Sequence, residues 1–471
     1  MAKINGMMDV GRRGLMLSQT AMQTTSHNIT NKSTEGYSRQ KVDLKTNPAI
    51  NEGHYQLGTG AKLAGISRVN NPWIEKQLER ENSVLKNMDQ RAQGLNRLEA
   101  AVNEQNVKRL NDSISNFFNA FRDLSNNPES AVSRTQVREA SVGLVKAFQE
   151  TKRLMEDVKT DMNKNIEFNI TEVNGIVKEI ADLNQKIQQL EINGSGTAND
   201  ERDHRDALIK KLSENIDISY AEDPKSGMIN VSGGPVVLVA GTSSSQLKAV
   251  ENERGQMRVQ HELTQGGAAL DITEQFKKGK VGAALDIRDN VTESMVQNLE
   301  TLAFNLTNEV NKAHYEGYDR HGMPGVKFFE SADPNQPFKI DNIKVSSEIM
   351  KDISRIAAAA QPNAEGDNTV ANVIQNLQLR PMMEEGKYTF DDFYNAKVSE
   401  IGVLTQRANS ALESQKNSFD QLQNIRESIS GVNMDEEAAK MIEYQKSFEA
   451  SARLIRTADE MFDTVLSLKR L

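Results

Sequence analysis

The sequence predicts a mainly α fold with β insertions, drawn out along long helices rather than closed into one ball. Three observations carry this. Apolar residues keep helical spacing from Asn127 to Ile192, an interval with no Pro after Pro128 and only two Gly (Gly143, Gly175). Short apolar runs between Gly-rich or polar turns cluster in 216–280. Both ends of the chain carry seven-residue repeats.

Residues 1–45 are short on Pro. Met8, Leu15, Met22 and Ile29 recur every seven residues, with Ile4, Gly11, Ser18 and Thr25 as a second series beside them. Together they form one narrow stripe, half of it small or polar, and such a helix gains too little by burial to stand alone. From Asn47 to Asn71, Pro48 and Gly53, Gly58, Gly60 and Gly65 mark a loop and a short hairpin. Asn71-Pro72 supplies an N-cap and a proline at the first helical position. The long helix that follows places Ile74, Leu78, Leu85, Met88, Leu95, Leu98 and Val102 on one face.

A shorter helix from Asn111 to Leu124 turns Phe117, Phe118, Phe121 and Leu124 inward. Asn127-Pro128 reads as a second cap-and-proline start, opening about 65 residues of helix and a rod of roughly 100 Å that ends at Asn193-Gly194-Ser195-Gly196. Strands are expected at Ile229–Val231, Val236–Val239, Leu247–Val250 and Met257–Gln260. Helix returns from Asp286 to His314, and again from Thr389 to Leu468 with one break at Ser430-Gly431. The last helix has the clearest pattern. Met434, Met441, Phe448, Ile455 and Phe462 are each seven apart, and Tyr444, Ser451, Ala458 and Val465 form the companion seam. Asp435, Glu436 and Glu437 crowd its first turn, where carboxylates suit the helix dipole.

The organisation is nested. Residues 1–45 and 430–471 are the two halves of an inner, coiled-coil-like helical domain. Residues 46–215, 281–325 and 389–429 build a long-helix rod domain, 216–280 a small β-rich outer domain, and 326–388 a short mixed α/β segment. Charge favours pairing of the ends: 1–45 holds seven basic and three acidic residues, 434–471 six basic and eight acidic.

Composition bounds the chemistry. The 471 residues are 37% hydrophobic and 5% aromatic, with one Trp and no Cys, which excludes a disulfide framework, a thiol nucleophile and a Cys-ligated metal. A net charge of −9 argues against general nucleic-acid binding. The longest apolar run, Val236–Ala240, falls far short of the roughly 18 residues that cross a bilayer, so no membrane insertion is expected. Asp9, Arg12 and Arg13 interrupt any signal-peptide core at the N-terminus. His204-Arg205-Asp206 has Lys211 where a kinase loop needs its metal-binding Asn, and reads as an exposed helix turn. No phosphate loop or zinc-binding helix motif occurs among the glycines and six His. Glu384-Glu385 and Asp391-Asp392 read as helix-start carboxylates. No catalytic residue, cofactor or metal is expected.

Two segments carry a resemblance. Asn28-Ile29-Thr30-Asn31 with Thr34-Glu35-Gly36-Tyr37-Ser38-Arg39-Gln40, and Ser430-Gly431-Val432-Asn433-Met434-Asp435-Glu436-Glu437, resemble the terminal signatures of bacterial flagellar axial proteins, in the wording of the hook-associated protein 1 family. Gly282–Asp289 and Asn311–Tyr318 fit as well. The resemblance implies an elongated axial structural subunit at the hook–filament junction, not an enzyme. It implies secretion through the flagellum's own type III export apparatus and an extracellular site in the flagellum. The implied partners are further copies of the chain, the hook protein, a second junction protein, and an export chaperone on the C-terminal region. Another axial subunit, of hook, rod or filament type, is the alternative. The family's terminal helices are typically disordered in the free monomer and form an inner tube on assembly. Met8, Leu15, Met22, Ile29, Met434, Met441, Phe448, Ile455 and Phe462 are therefore expected to pack between subunits. His27, Lys32 and Glu35 depart from the family wording, with altered lateral contacts expected.

Overall fold

A computed structural model describes residues 2–34, 36–52, 55–102, 104–192, 196–262, 269–331 and 339–468. The chain opens with α1 (Ala2–Thr30) and turns into a ribbon, β1 (Gln40–Thr46) antiparallel to β4 (Ala61–Arg68), with the small hairpin β2 (Ile50–Glu52) and β3 (Tyr55–Leu57) at its tip. Helices α2 (Pro72–Ala101), α3 (Glu104–Asn126), α4 (Ala131–Ile192) and α5 (Asn199–Asn215) follow. Asn71 caps α2 as expected, accepting from the Trp73 N–H at 3.1 Å. At 62 residues α4 runs about 93 Å and spans the body.

Two apolar cores lie along α4. The first gathers Phe117, Phe118 and Phe121 of α3, Val137 to Val158 of α4, and apolar residues of α7 (Glu293–Tyr315). Its aromatic centre sets Phe117 edge-on to Phe118, Phe121 and Phe328, with ring centroids 5.2 to 6.0 Å apart. The second core gathers Met162 to Ile187 of α4, α5, α6 (Gly279–Asp286) and a β module. That module pairs β5 (Ile218–Glu222), β6 (Ile229–Gly233), β7 (Val236–Ala240) and β8 (Ser243–Ser244) in one antiparallel sheet. A second sheet holds β9 (Leu247–Glu251), β10 (Met257–Glu262) and β11 (Ala269–Asp271).

The sheets are fastened to α4 by asparagines that imitate a strand. Asn174 donates to Leu247 O and accepts from Leu247 N, both at 2.8 Å. Asn184 does the same with Ile229 (2.8 and 3.1 Å), and Asn163 donates to Gly255 O and accepts from Met257 N (2.8 and 3.0 Å). Asn311 on α7 repeats the device on Phe329, in β12 (Phe329–Ser331), which pairs with β13 (Ile343–Val345). Each amide satisfies backbone groups that a helix side chain otherwise leaves unpaired.

After the short helices α8 (Ser347–Lys351) and α9 (Thr369–Asn376), α10 (Phe390–Ser430) runs back along α2, and α11 (Met434–Leu468) packs on α1. Beyond the body the α2/α10 pair is thin. Ile74, Leu78 and Phe419 form its small core.

Several expectations change. Helix in the first segment ends at Thr30, and 40–45 is strand. Asn127-Pro128 does not start α4. Asn127 N–H bonds back to Asp123 O, closing α3, and the Ser130 hydroxyl accepts from Ser133 N at the head of α4. The returning helix starts earlier, at Gly279, and passes through a π-helical turn at Ile287–Thr292. Asn193, Gly194 and Ser195 of the expected stop, and Glu35 and His54, lie outside the described residues. Glu384 and Glu385 sit in a turn at positive φ rather than at a helix start, whereas Asp391 and Asp392 occupy the first turn of α10. No helix among the described residues is long and apolar enough to cross a membrane.

Candidate functional site

The two signature segments meet in space. Where α1 ends and α11 begins, Asn28 is buried and uses both ends of its amide. It donates to Gln40 O (2.8 Å) and to Glu437 Oε2 (2.9 Å), and accepts from the Tyr37 hydroxyl (2.8 Å) and Gln40 N (2.9 Å). Glu437 is buried too, its other oxygen held by Lys440 at 2.8 Å. Burial, reinforced by Asp200, Asp203 and Glu437, raises the Tyr37 pKa far above its ordinary range, so the hydroxyl stays a donor. Gly36 takes φ +79° at this turn, and a Cβ there would stand 3.2 Å from Ala207.

Helix α5 supplies the seat. Asp200, Asp203 and Asp206, three residues apart, form an acidic ridge. Asp203 accepts from Ser38 N (2.9 Å) and Arg68 (2.7 Å), Asp206 from Arg68 (2.8 Å), and Asp200 from Gln40 (2.7 Å). Burial would lower the Arg68 pKa, but Asp206 and Asp203 outweigh it and hold the guanidinium charged. On the other side Arg426 of α10 bonds Glu75 (3.0 Å) and the carbonyls of Gly36 and Tyr37 (3.3 Å each). Arg39 N donates to Ser430 O, and its side chain pairs with Glu436 at 2.8 Å. This polar collar locks the terminal pair to the body.

The sequence reading named the two signatures but not Asp203, Arg68 or Arg426. The three-residue spacing of the α5 aspartates was the available signal. Arg205, expected on an exposed turn, is fully buried. It donates to Asn184 Oδ1 (3.1 Å) and Gly227 O (2.6 Å), tying α5 to α4 and the β module.

Above the collar α1 and α11 pack through small residues. A Cβ on Gly11 would lie 2.6 Å from Ile455 Cγ1, and one on Gly14 would lie 2.5 Å from Ser451 Oγ. Ser18 donates to Ser447 at 3.1 Å, and Ala21, Thr25 and Ala458 are buried. The seam therefore runs along the second N-terminal series. Met8, Leu15, Met22 and Ile29 lie at its margin, half-buried, as do Met441, Ile455 and Phe462, while Met434 and Phe448 are 38% and 36% exposed. Further apolar side chains face outward on the same pair, among them Met16, Ile442 and Met461. No cluster of potential metal ligands exists among the described residues.

Residues 95–329 match the family described as "Flagellar hook-associated protein FlgK helical domain", and 426–468 match "Flagellar basal body rod FlgEFG protein C-terminal". The chain is 25% identical to flagellar hook-associated protein 1 of Bacillus subtilis (strain 168), over 98% of this chain and 97% of that protein. The chain belongs to the flagellar hook-associated protein 1 family. Its counterpart in Salmonella typhimurium is 24% identical over 97% of this chain and 98% of that one. The fold is shared with the flagellar hook junction protein FlgK from Burkholderia pseudomallei, with a TM-score of 0.66 and 14% identity over 75% of this chain and all of that structure. The family is one of structural subunits of the bacterial flagellum, and the mainly α architecture with β insertions is the family's own.

Proposed function

We propose that this chain is the junction subunit between hook and filament, exported by the flagellar apparatus and assembled by packing of its terminal helices. One observation supports this reading above the others. The α1/α11 pair is joined to the body by a fully bonded polar collar, yet it leaves Met434 and Phe448 and the margins of both heptad stripes short of cover. A helix pair fixed at one end and greasy along its length is suited to burial against copies of itself. The nine stripe residues from Met8 to Phe462 carry that packing. The hook protein and a second junction protein adjoin at the two ends of the ring, and an export chaperone covers the C-terminal stripe before assembly. A second reading, as another axial subunit, draws on the match of 426–468 to a rod-protein family.

Removing the protein from cells tests the choice. Hooks remain while filament subunits escape into the medium if the junction reading holds. Normal filaments in that strain contradict it, and missing hooks favour the second reading.

A further inference from the structure

Among the described residues of the ribbon β1/β4 and its hairpin tip, none is fully buried. Leu44 and Leu63 oppose each other across the strands and are 52% and 44% exposed, and at the tip Tyr55 is 77% exposed. The next pair in register, Lys45 opposite Lys62, sets two exposed like charges side by side, and neither forms an ion pair among the described residues. A two-stranded ribbon is marginal in water, and directly opposed like charges weaken it further. Each strand also leaves one edge unpaired. The ribbon is nonetheless tethered. Its strands lie against α1, and beside the hairpin Arg13 donates to Thr59 O at 3.2 Å. It is therefore presented at the flank of the terminal pair with one face apolar and the other cationic.

The complementary surface is in the same chain. Between 434 and 468 helix α11 carries eight acidic and four basic residues. Exposed Ile442 is followed by exposed Glu443, exposed Met461 is preceded by exposed Glu460, and neither carboxylate is ion-paired among the described residues. Within one molecule α11 packs on α1 rather than on the ribbon. We infer that the ribbon Gln40–Arg68 is a docking surface for the outer face of α11 in a second copy of this chain. Leu44, Leu63 and Tyr55 cover the apolar side chains of that helix. Lys45 and Lys62, on the opposite face, give the ribbon a positive potential that suits the carboxylates of that helix. The contact is heterologous, ribbon to helix, so it propagates from copy to copy, as an axial ring requires. The inference rests on the proposed function and adds the surface that aligns neighbouring copies.

The absence of cysteine makes the test clean. One full-length chain carries Tyr55→Cys and another Ile442→Cys or Met461→Cys. Flagella isolated from cells expressing both are treated with a short bis-maleimide. The expected result is a cross-linked dimer of the two variants, absent when either is expressed alone. Cross-linking of Tyr55→Cys only to a different flagellar protein, or no cross-link in assembled flagella, overturns the inference. Lys45→Glu with Lys62→Glu should lower incorporation at least ten-fold without moving the monomer melting temperature, and incorporation at the parental level overturns it equally. A chain truncated before Met434 separates the two readings. If the truncated chain still assembles, the proposed function itself fails. If truncation abolishes assembly while the ribbon variants assemble and stay uncross-linked, only the ribbon inference fails.

Discussion

The body around α4 and the terminal pair α1/α11 are both helical, but they are finished differently. In the body, Phe117, Phe118, Phe121, Phe148 and Phe328 are all within about 1% of complete burial, and α4 runs through two continuous cores. In the terminal pair the buried positions are small or polar, among them Gly11, Ser18, Ala21, Thr25, Asn28, Glu437 and Ala458, while methionines and Phe448 stay at the margin. Apolar burial stabilises in proportion to area, so the body draws far more stability from its own core than the pair does. The lesson concerns what a heptad repeat means. The same seven-residue spacing that elsewhere closes a core here leaves its large members half-covered, because small residues bring the two helices close and the bulky ones stand outside the seam.

The largest effect is expected in the body. Phe117→Ala removes a ring in contact with four others and should cost the body about 3–5 kcal/mol, read as a lower denaturation midpoint. A loss under about 1 kcal/mol would mean that this core is not what holds the body.

A second test uses pH. His314 is completely buried, its Nε2 accepting from Ala357 N at 2.8 Å, which leaves Nδ1–H to donate to Val326 O at 2.6 Å. Burial, with help from Arg134 and Arg355, lowers its pKa to about 4. A base depressed in the folded state contributes stability that is complete above its unfolded pKa and declines as pH falls toward the folded value. The body should lose about 3 kcal/mol between pH 6.5 and 4, a slope absent in His314→Gln. Equal slopes in the two chains would contradict the locked neutral imidazole.

The collar comes next. Asn28→Ala strands the buried Glu437 carboxylate and the Tyr37 hydroxyl, at a cost of about 1–3 kcal/mol. Because the collar joins the pair to the body, the loss should appear as faster proteolysis of α1 and α11 with the body's midpoint unchanged. A uniform loss across the molecule would place Asn28 in the body's cooperative unit. The smallest monomer effect is expected at Phe448→Asp, within about 0.5 kcal/mol at an exposed site, yet it should abolish incorporation into flagella. A fall of many degrees in melting temperature would make Phe448 an ordinary core residue.

How much of this was legible in the sequence follows from distance along the chain. The Asn71-Pro72 start, the inward Phe117, Phe118 and Phe121, the length of α4 and the break after Ser430 were readable because each depends on neighbours within a few turns. Asn127-Pro128 misled because the same residues that open a helix can close the one before, and Ser130 stood three residues closer to the true start. The collar was hidden because its partners are remote. Asp203 meets Ser38 across 165 positions and Glu437 meets Asn28 across 409. Glu437 looked like a dipole-complementing carboxylate and is instead a buried acceptor. Asn163, Asn174 and Asn184 carry no sequence signal of their role, since nothing local tells an amide that faces water from one that pairs with a strand.

The proposed assembly requires that the terminal helices lack cover until a neighbouring copy supplies it. Hydrogen exchange on the full-length monomer, repeated on isolated flagella, tests it most directly. Amides of α1 and α11 in the free chain should exchange many-fold faster than those of α3, α4 and α7, and become protected on assembly. Protection of α1 and α11 in the lone monomer equal to that of α4 would contradict it.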